Sequence, residues 1–285
     1  MKVLVTGVKG QLGYDVVKRL NELNIEAKGV DIEDFDLTDE NAVMNGIESY
    51  LPDAIIHCAA YTAVDKAEDD KELCHTVNVI GTRNVALAAK KLDAKMIYIS
   101  TDYVFEGVGE NFYEPNDKKA PQSVYGETKS LGEDEVTNLL EKYFIVRISW
   151  VFGINGNNFV KTMLRLGNER EELNVVSDQT GSPTYTRDLA VLLCDMVQTE
   201  KYGIYHATNE GICSWAEFAE EIMKLGNRNT KINYITSDQY PAKAKRPFNS
   251  RMSKDKLEEN GFNRLPSWQD ALKRYINELK GNDLL

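Results

Sequence analysis

The sequence predicts an α/β fold, a doubly wound parallel sheet with a second, smaller, mainly helical domain. Three observations predict it. Short apolar, β-branched runs alternate with longer helical patterns up to about residue 210. Those runs lack the in/out alternation of a sheet with one wet face, as expected for strands covered on both sides. Beyond Gly211 the pattern becomes helical, with one short strand-like run.

Taken in order, Lys2–Thr6 reads as the first strand and Gln11–Leu23 as the helix that follows it. Glu26–Asp31 and Asp39–Tyr50 repeat the unit, as do Ala54–Cys58 with Leu73–Leu92 and Lys95–Ser100 with Val124–Leu140. Phe144–Ser149, the helix Thr186–Thr199 and the strand Gly203–Ala207 complete the series. Right-handed crossovers make a doubly wound sheet the default arrangement. Residues 106–122, rich in Gly, Asp, Glu and Lys, read either as a flap over a ligand or as a long connection. Residues 152–170 read as helical. Ser214 with Glu217 three residues on forms a capping box opening a helix through Leu225, and Ser267 opens another to about Lys280. Lys231–Ile235 is the strand between them. The predicted division is 1–151 with 175–210 as a dinucleotide-binding domain, and 152–174 with 211–285 as a substrate domain.

Composition narrows the function classes. The 285 residues carry 34 basic and 45 acidic side chains, a net charge of −11. Such a chain repels phosphate backbones and anionic membranes globally, so neither nucleic acid nor a membrane is the expected partner. A small anionic ligand needs only a local pocket of donors. Cys58, Cys74, Cys194 and Cys213 are widely spaced and read as reduced thiols. No signal peptide pattern precedes the first strand and no run approaches 18 apolar residues, so a cytoplasmic protein is expected.

Gly7-Val8-Lys9-Gly10-Gln11-Leu12-Gly13 joins the first strand to the first helix. Glycines let the turn form and let the backbone approach a pyrophosphate, which the helix N-terminus then attracts. In this strand–turn–helix context Gly7, Gly10, Gln11, Leu12 and Gly13 are candidate cofactor-binding residues, and the domain is expected to be Rossmann-like. Asp31, eighteen residues beyond Gly13, ends the second strand. Its carboxylate suits both hydroxyls of an adenosine ribose. It would repel a 2′-phosphate by on the order of 1–4 kcal/mol, and its neighbours Ile32 and Glu33 supply no compensating base. NADH is therefore favoured, with NADPH as the alternative.

Tyr125 and Lys129 stand four apart in a helical pattern, hence on one face. A phenol titrating near 10 is a poor acid or base at neutral pH, and a nearby ammonium would pull it toward the working range. Lys129 could also bond a nicotinamide ribose. Thr101 stands where a strand ends, the edge at which open α/β sheets bind ligands. Thr101, Tyr125 and Lys129 form a donor–acid–tuner set suited to hydride chemistry at a carbonyl.

The motif Thr6–Gly13, the run Asn78-Val79-Ile80-Gly81-Thr82, and Thr101 with Tyr125 and Lys129 resemble the extended short-chain dehydrogenase/reductases over nearly the whole chain. Within that family five further segments are similar to the reductases of dTDP-linked 4-keto-6-deoxysugars. They are Ala60–Glu68, Ser100–Phe105, Arg147–Gly153, Asn157–Met163 and Asp178–Thr184. The resemblance implies hydride transfer from NAD(P)H to the C4 ketone of dTDP-4-dehydro-L-rhamnose, giving dTDP-L-rhamnose. It implies that Tyr125 protonates the alkoxide, Thr101 bonds that oxygen and Lys129 tunes Tyr125. It also implies that Thr62, Val64, Asp102, Tyr103 and Trp150 serve the sugar, that Ala59, Ala60 and Tyr61 contact the cofactor, and that Asp36 and Leu37 meet the adenine. Related dehydratases carry Thr-Asp-Glu where this chain has Thr101-Asp102-Tyr103, which disfavours dehydration. An epimerase, or a non-catalytic regulatory subunit of the same fold, remains as the alternative, although the intact Thr101, Tyr125 and Lys129 argue against the latter.

Arg246, in the basic island 240–247, is the candidate for the substrate diphosphate, against a reading of that stretch as a solvated loop. His57, His75 and His206 share no ligand spacing and read as packed or surface residues, and Trp215 and Trp268 as core or rim packing. Some relatives are thought to dimerise through a carboxylate-held cation. Asp15 fits such a place, but Arg187 stands where an acidic partner is expected, so no metal is predicted and a homodimer is left open.

Overall fold

A computed structural model describes residues 1–282 and residue 284. Residues 283 and 285, the end of the expected second domain, lie outside the described residues. The chain begins β1 (Lys2–Thr6), α1 (Gln11–Glu22), β2 (Glu26–Val30), α2 (Glu40–Tyr50) and β3 (Ala54–His57). Two short helices follow, α3 (Val64–Ala67) and α4 (Lys71–His75). A π-helical segment, Thr76–Gly81, leads into α5 (Thr82–Lys91). Next come β4 (Lys95–Thr101), α6 (Val124–Leu139), β5 (Tyr143–Ile148), β6 (Val151–Phe152), α7 (Phe159–Glu169) and β7 (Glu172–Val176). Then follow β8 (Thr180–Gly181), β9 (Thr184–Tyr185), α8 (Thr186–Val197) and β10 (Gly203–His206). The chain ends with β11 (Cys213–Ser214), α9 (Trp215–Leu225), β12 (Lys231–Ile235), α10 (Asp255–Glu259) and α11 (Trp268–Gly281).

Six strands pair in the order β10-β5-β4-β3-β1-β2, all parallel. The expected doubly wound sheet is present. Order reverses at β1, between β2 and β3, so the crevice for a ligand opens at the C-terminal ends of β1, β3 and β4. One apolar cluster covers one face with α1 and α8 (Val16, Leu20, Leu189, Leu193), and another covers the opposite face with α2, α5 and α6 (Ile47, Val85, Val136). A separate cluster joins α7, α9 and α11 through Met163, Phe218, Ile222 and Tyr275. Leu257, Phe262 and Leu265 pack into the α1–α8 cluster although they belong to the 211–285 stretch.

Local differences from the sequence reading have physical causes. The expected helix Leu73–Leu92 is interrupted by the π turn that turns Asn78 inward. The 152–170 stretch is helical only from Phe159, where the Asn158 side chain accepts the Lys161 N–H and caps α7. The two-residue strands β6, β8, β9 and β11 carry no pattern long enough to read, because tertiary pairing alone makes them. Residues 106–122 are held down: Tyr113 stacks on Phe105 at 4.3 Å and bridges to Met252, and the Pro115 carbonyl accepts from Arg147 at 2.9 Å. Among the described residues no helix is long and apolar enough to cross a membrane, and all four cysteines are free.

Candidate active site

The loop after β1 is built for close approach. Gly7 has φ +70°, and a Cβ there would fall 2.7 Å from the Ala59 nitrogen after β3. A Cβ on Gly13 would fall 2.4 Å from the Gly7 carbonyl, so any side chain would fill the cradle. Gly10 caps α1 without a side-chain bond, leaving first-turn N–H groups free for an anion. Leu12 is buried beneath, while Gln11 accepts from Asn158 at 3.0 Å and Asn155 bonds the Lys9 carbonyl at 2.7 Å. The residues present therefore fit a dinucleotide diphosphate.

At the ribose end, both Asp31 oxygens accept backbone N–H groups, from Lys9 and Ile32, each at 2.9 Å. Ile32 and Glu33 supply no base beside Asp31, as expected, but the glycine loop brings one from elsewhere. It folds back so that the Lys9 ammonium meets Glu33 at 2.5 Å, a cation 24 residues upstream of Glu33 in sequence but adjacent in space. Asp36 is spent on Thr38, accepting its N–H and hydroxyl at 2.8 Å, while Leu37 packs on Gly81 and accepts from Asn84 at 2.9 Å.

Ala59 N–H donates to Thr6 at 3.2 Å. Tyr61 is clamped by Asn78, which accepts its N–H at 2.8 Å and donates to its carbonyl at 3.1 Å. Asn78 also donates to Thr128 on α6 at 3.1 Å. Sequence reasoning assigned Asn78 no role. Its signal, the Asn78–Thr82 run, gains meaning only through the π turn, a feature frequent at functional sites.

Ser123 caps α6 by accepting the Gly126 N–H at 3.2 Å, which fixes the first turn carrying Tyr125. Thr101 is buried, and its hydroxyl acts on the Tyr125 phenol to pull it down. Lys129, one turn on, is buried with its ammonium 4.0 Å from the Tyr98 ring centroid, and burial pushes it down to about 7. The three predicted residues are thus brought together, with one electrostatic correction. Burial raises the Tyr125 phenol instead of lowering it, and Asp102 and Tyr103 push it the same way. The phenol is held protonated, the form a proton donor needs.

Beside this shelf opens a cavity of about 670 Å³. Tyr103 forms its boundary with the shelf, meeting Tyr125 edge-on at 5.4 Å. The opposite wall is aromatic: Trp150 stacks on Trp215 at 3.8 Å and 15°, with Phe159 beside them. Trp150 has φ +51°, strained for an aromatic residue. Its carbonyl accepts from Thr184 at 3.1 Å, and a Cβ on Gly181 would crowd its indole at 3.0 Å. Trp215 packs at the rim of the second apolar cluster, as expected, and also lines the cavity, of which a helix-opening Trp gives no hint in sequence. Arg246 also lines the cavity, donating to Asp65 at 2.5 Å and to the Tyr103 hydroxyl at 3.4 Å. Thr62 stands on the loop entering α3 and Val64 begins that helix; both are absent from the cavity lining. Asp102 is likewise turned away from it, its carboxylate held by Thr101 and Ser250.

The remaining sequence candidates are structural. His57 is buried between Thr6 (2.7 Å) and Thr82 (3.3 Å) and pushed down to about 3 by burial, and buried His206 faces Arg147. Asp15 accepts from Thr186 at 2.5 Å, and Arg187 faces Glu278 at 3.5 Å.

A glycine cradle, a Thr–Tyr–Lys shelf and an aromatic cavity with an arginine thus share one crevice. The model of the RmlD substrate binding domain family matches residues 1–280. The chain belongs to this family. It is 41% identical to the dTDP-4-dehydrorhamnose reductase of Aggregatibacter actinomycetemcomitans, over 95% of this chain and 97% of that one. It is 40% identical to the spore coat polysaccharide biosynthesis protein SpsK of Bacillus subtilis, over 97% of each. Among solved structures, the Bacillus anthracis dTDP-4-dehydrorhamnose reductase in complex with NADP matches with a TM-score of 0.95 at 44% identity. That match covers 97% of this chain and 99% of the other. Members of the RmlD family are thus similar to this chain along its whole length, through cradle, shelf and cavity alike.

Proposed function

We propose that this chain reduces the C4 ketone of dTDP-4-dehydro-L-rhamnose to give dTDP-L-rhamnose, using a nicotinamide dinucleotide. The observation that carries the reading is the shelf of Thr101, Tyr125 and Lys129 between the glycine cradle and the cavity. Support in kind comes from the 41% identical reductase. Gly7, Gly10, Gln11, Leu12 and Gly13 would hold the diphosphate on the α1 N-terminus, and Ala59, Ala60 and Tyr61 would bound the nicotinamide half. When bound, the nicotinamide supplies the hydride. Tyr125, kept protonated by burial, donates its proton to the alkoxide forming at C4. Lys129 stands one turn away to bond the nicotinamide ribose and to offset negative charge left on the phenolate. Thr101 steadies the reacting oxygen. Tyr103, Trp150 and Trp215 enclose the sugar nucleotide, and Arg246 would meet its diphosphate, exchanging Asp65 for phosphate oxygens.

For the cofactor, Asp31 with Glu33 and Asp34 favours NADH, while Lys9 admits the 2′-phosphate of NADPH. Four free cysteines suit the cytoplasm, where we place the reaction. The test is consumption of NADH and of NADPH by the purified protein with freshly made dTDP-4-dehydro-L-rhamnose. Turnover with either supports the reading. A folded protein that consumes neither overturns it, and interconversion of sugar epimers without net cofactor consumption would make it an epimerase.

A further inference from the structure

One buried ionisable group beside the shelf has no part in the mechanism above. Asp102 follows β4 directly and is 3% exposed. Thr101 donates to its Oδ1 at 3.0 Å and Ser250 donates to its Oδ2 at 2.5 Å. Two side-chain hydroxyls thus serve one buried carboxylate, one on each oxygen. Thr101 has a single hydroxyl proton, and in this arrangement it points at Asp102 while the Thr101 oxygen accepts from Tyr103 N–H at 3.3 Å. A threonine so committed offers the phenol of Tyr125 a lone pair, not a proton.

Ser250 arrives from far away in the chain. It is 2% exposed, its N–H donates to the Thr180 carbonyl of β8 at 2.8 Å, and it lines the cavity a few residues beyond Arg246. The carboxylate therefore sits between the reacting hydroxyls and the stretch of chain that forms the cavity wall. Because a buried carboxylate stripped of all its donors costs far more than one that keeps a short bond, Ser250 makes the longer Thr101 bond the one that can be given up.

We propose that Asp102 and Ser250 are positioning residues that set the direction of the Thr101 hydroxyl, holding its proton in the open site and yielding it to the ketone oxygen when substrate arrives. The proposal rests on the reductase reading. With substrate bound, Thr101 turns its proton from Asp102 Oδ1 to the ketone oxygen, and Tyr125 donates its own proton to the same oxygen as the hydride arrives. No proton leaves Asp102, which stays bonded by Ser250. Removing the Ser250 hydroxyl leaves Asp102 dependent on Thr101, so Thr101 is released less readily and the chemical step slows.

The test is a double-mutant cycle on the full chain in steady-state turnover. Ser250→Ala is expected to lower kcat about 10-fold, with KM for substrate and cofactor within about twofold, and Ser250→Thr to restore most of the loss. In a Thr101→Ala background the same Ser250→Ala change should cost less than about twofold, because there is no hydroxyl left to direct. Equal losses in both backgrounds, a loss in KM alone, or no loss in the single variant would each overturn the proposal while leaving the reductase reading intact. Should Ser250→Ala not fold, Asp102→Asn, the same shape with one acceptor oxygen fewer, carries the same expectation. A wild-type chain that turns over neither cofactor overturns both readings.

Discussion

The proposed catalytic shelf and the cavity wall beside it are built in opposite ways. Thr101, Tyr125 and Lys129 come from two elements adjacent in the chain, β4 and α6, and the shelf is backed by a buried ion pair. Glu133, two turns below Tyr125, takes Arg147 of β5 in two parallel bonds of 2.8 Å. The wall draws on separate stretches around Trp150, Phe159, Gln179, Trp215 and Arg246. Its polar contacts are partly exposed, as with Arg246 and Asp65. A site that must hold protons still is buried and locally encoded; a site that must admit a large anion is assembled at a distance and left accessible.

That contrast is open to test. The largest effect is expected at the shelf's support. Glu133→Gln leaves Arg147 buried without its counter-charge and should cost about 3–5 kcal/mol, read by denaturant melts. A loss under about 1 kcal/mol would mean that the shelf does not depend on this pair. Tyr125→Phe should lower kcat about 100-fold or more with the melt unchanged, and retained turnover would remove Tyr125 from its role.

On the wall, Trp215→Ala frees the strained Trp150 indole from its stack and should raise KM for the sugar nucleotide roughly tenfold, a loss of about 1.4 kcal/mol. The KM for NADH should stay put; a parallel rise would show that wall and cradle are not separable. The smallest effect belongs to the exposed Lys9. Lys9→Ala should raise KM for NADPH a few-fold relative to NADH, and less so at high salt.

Acid should act on the buried side as well. His57 titrates near 3 in the fold against 6.5 in an open chain, so the unfolded state gains its proton first as pH falls below about 6.5. Glu133 is held below its ordinary value by Arg147, so its contribution, present above the unfolded carboxylate range, is lost as pH falls through the folded value. Both signs agree, and urea midpoints measured from neutral pH to pH 4 should fall steadily. A flat profile would show that neither group is stabilising where it sits.

Much of the fold and half of the site were legible because their signals are short-range. Apolar runs of period appropriate to buried strands, the Gly7–Gly13 turn and the four-residue Tyr125–Lys129 spacing need no knowledge of the rest of the chain. The reading failed where the partner was distant. Lys9 could not be placed beside Glu33 until the loop folded back, and the cavity-lining role of Trp215 went unread because the Trp150 ring it covers is 65 residues away. The sign of the Tyr125 shift was also misjudged, since a neighbouring ammonium is visible in sequence but the depth of burial is not.

By itself, then, the sequence determined the parallel sheet and the glycine turn, and it placed Thr101, Tyr125 and Lys129 as candidates, all through local periodicity and spacing. Only the tertiary structure decided which carboxylates are spent internally, Asp36 on Thr38 and Asp102 on Thr101 and Ser250, and which cations face a ligand. Desolvation and hydrogen-bond partnership depend on everything packed around a group, and that surrounding is drawn from the whole chain.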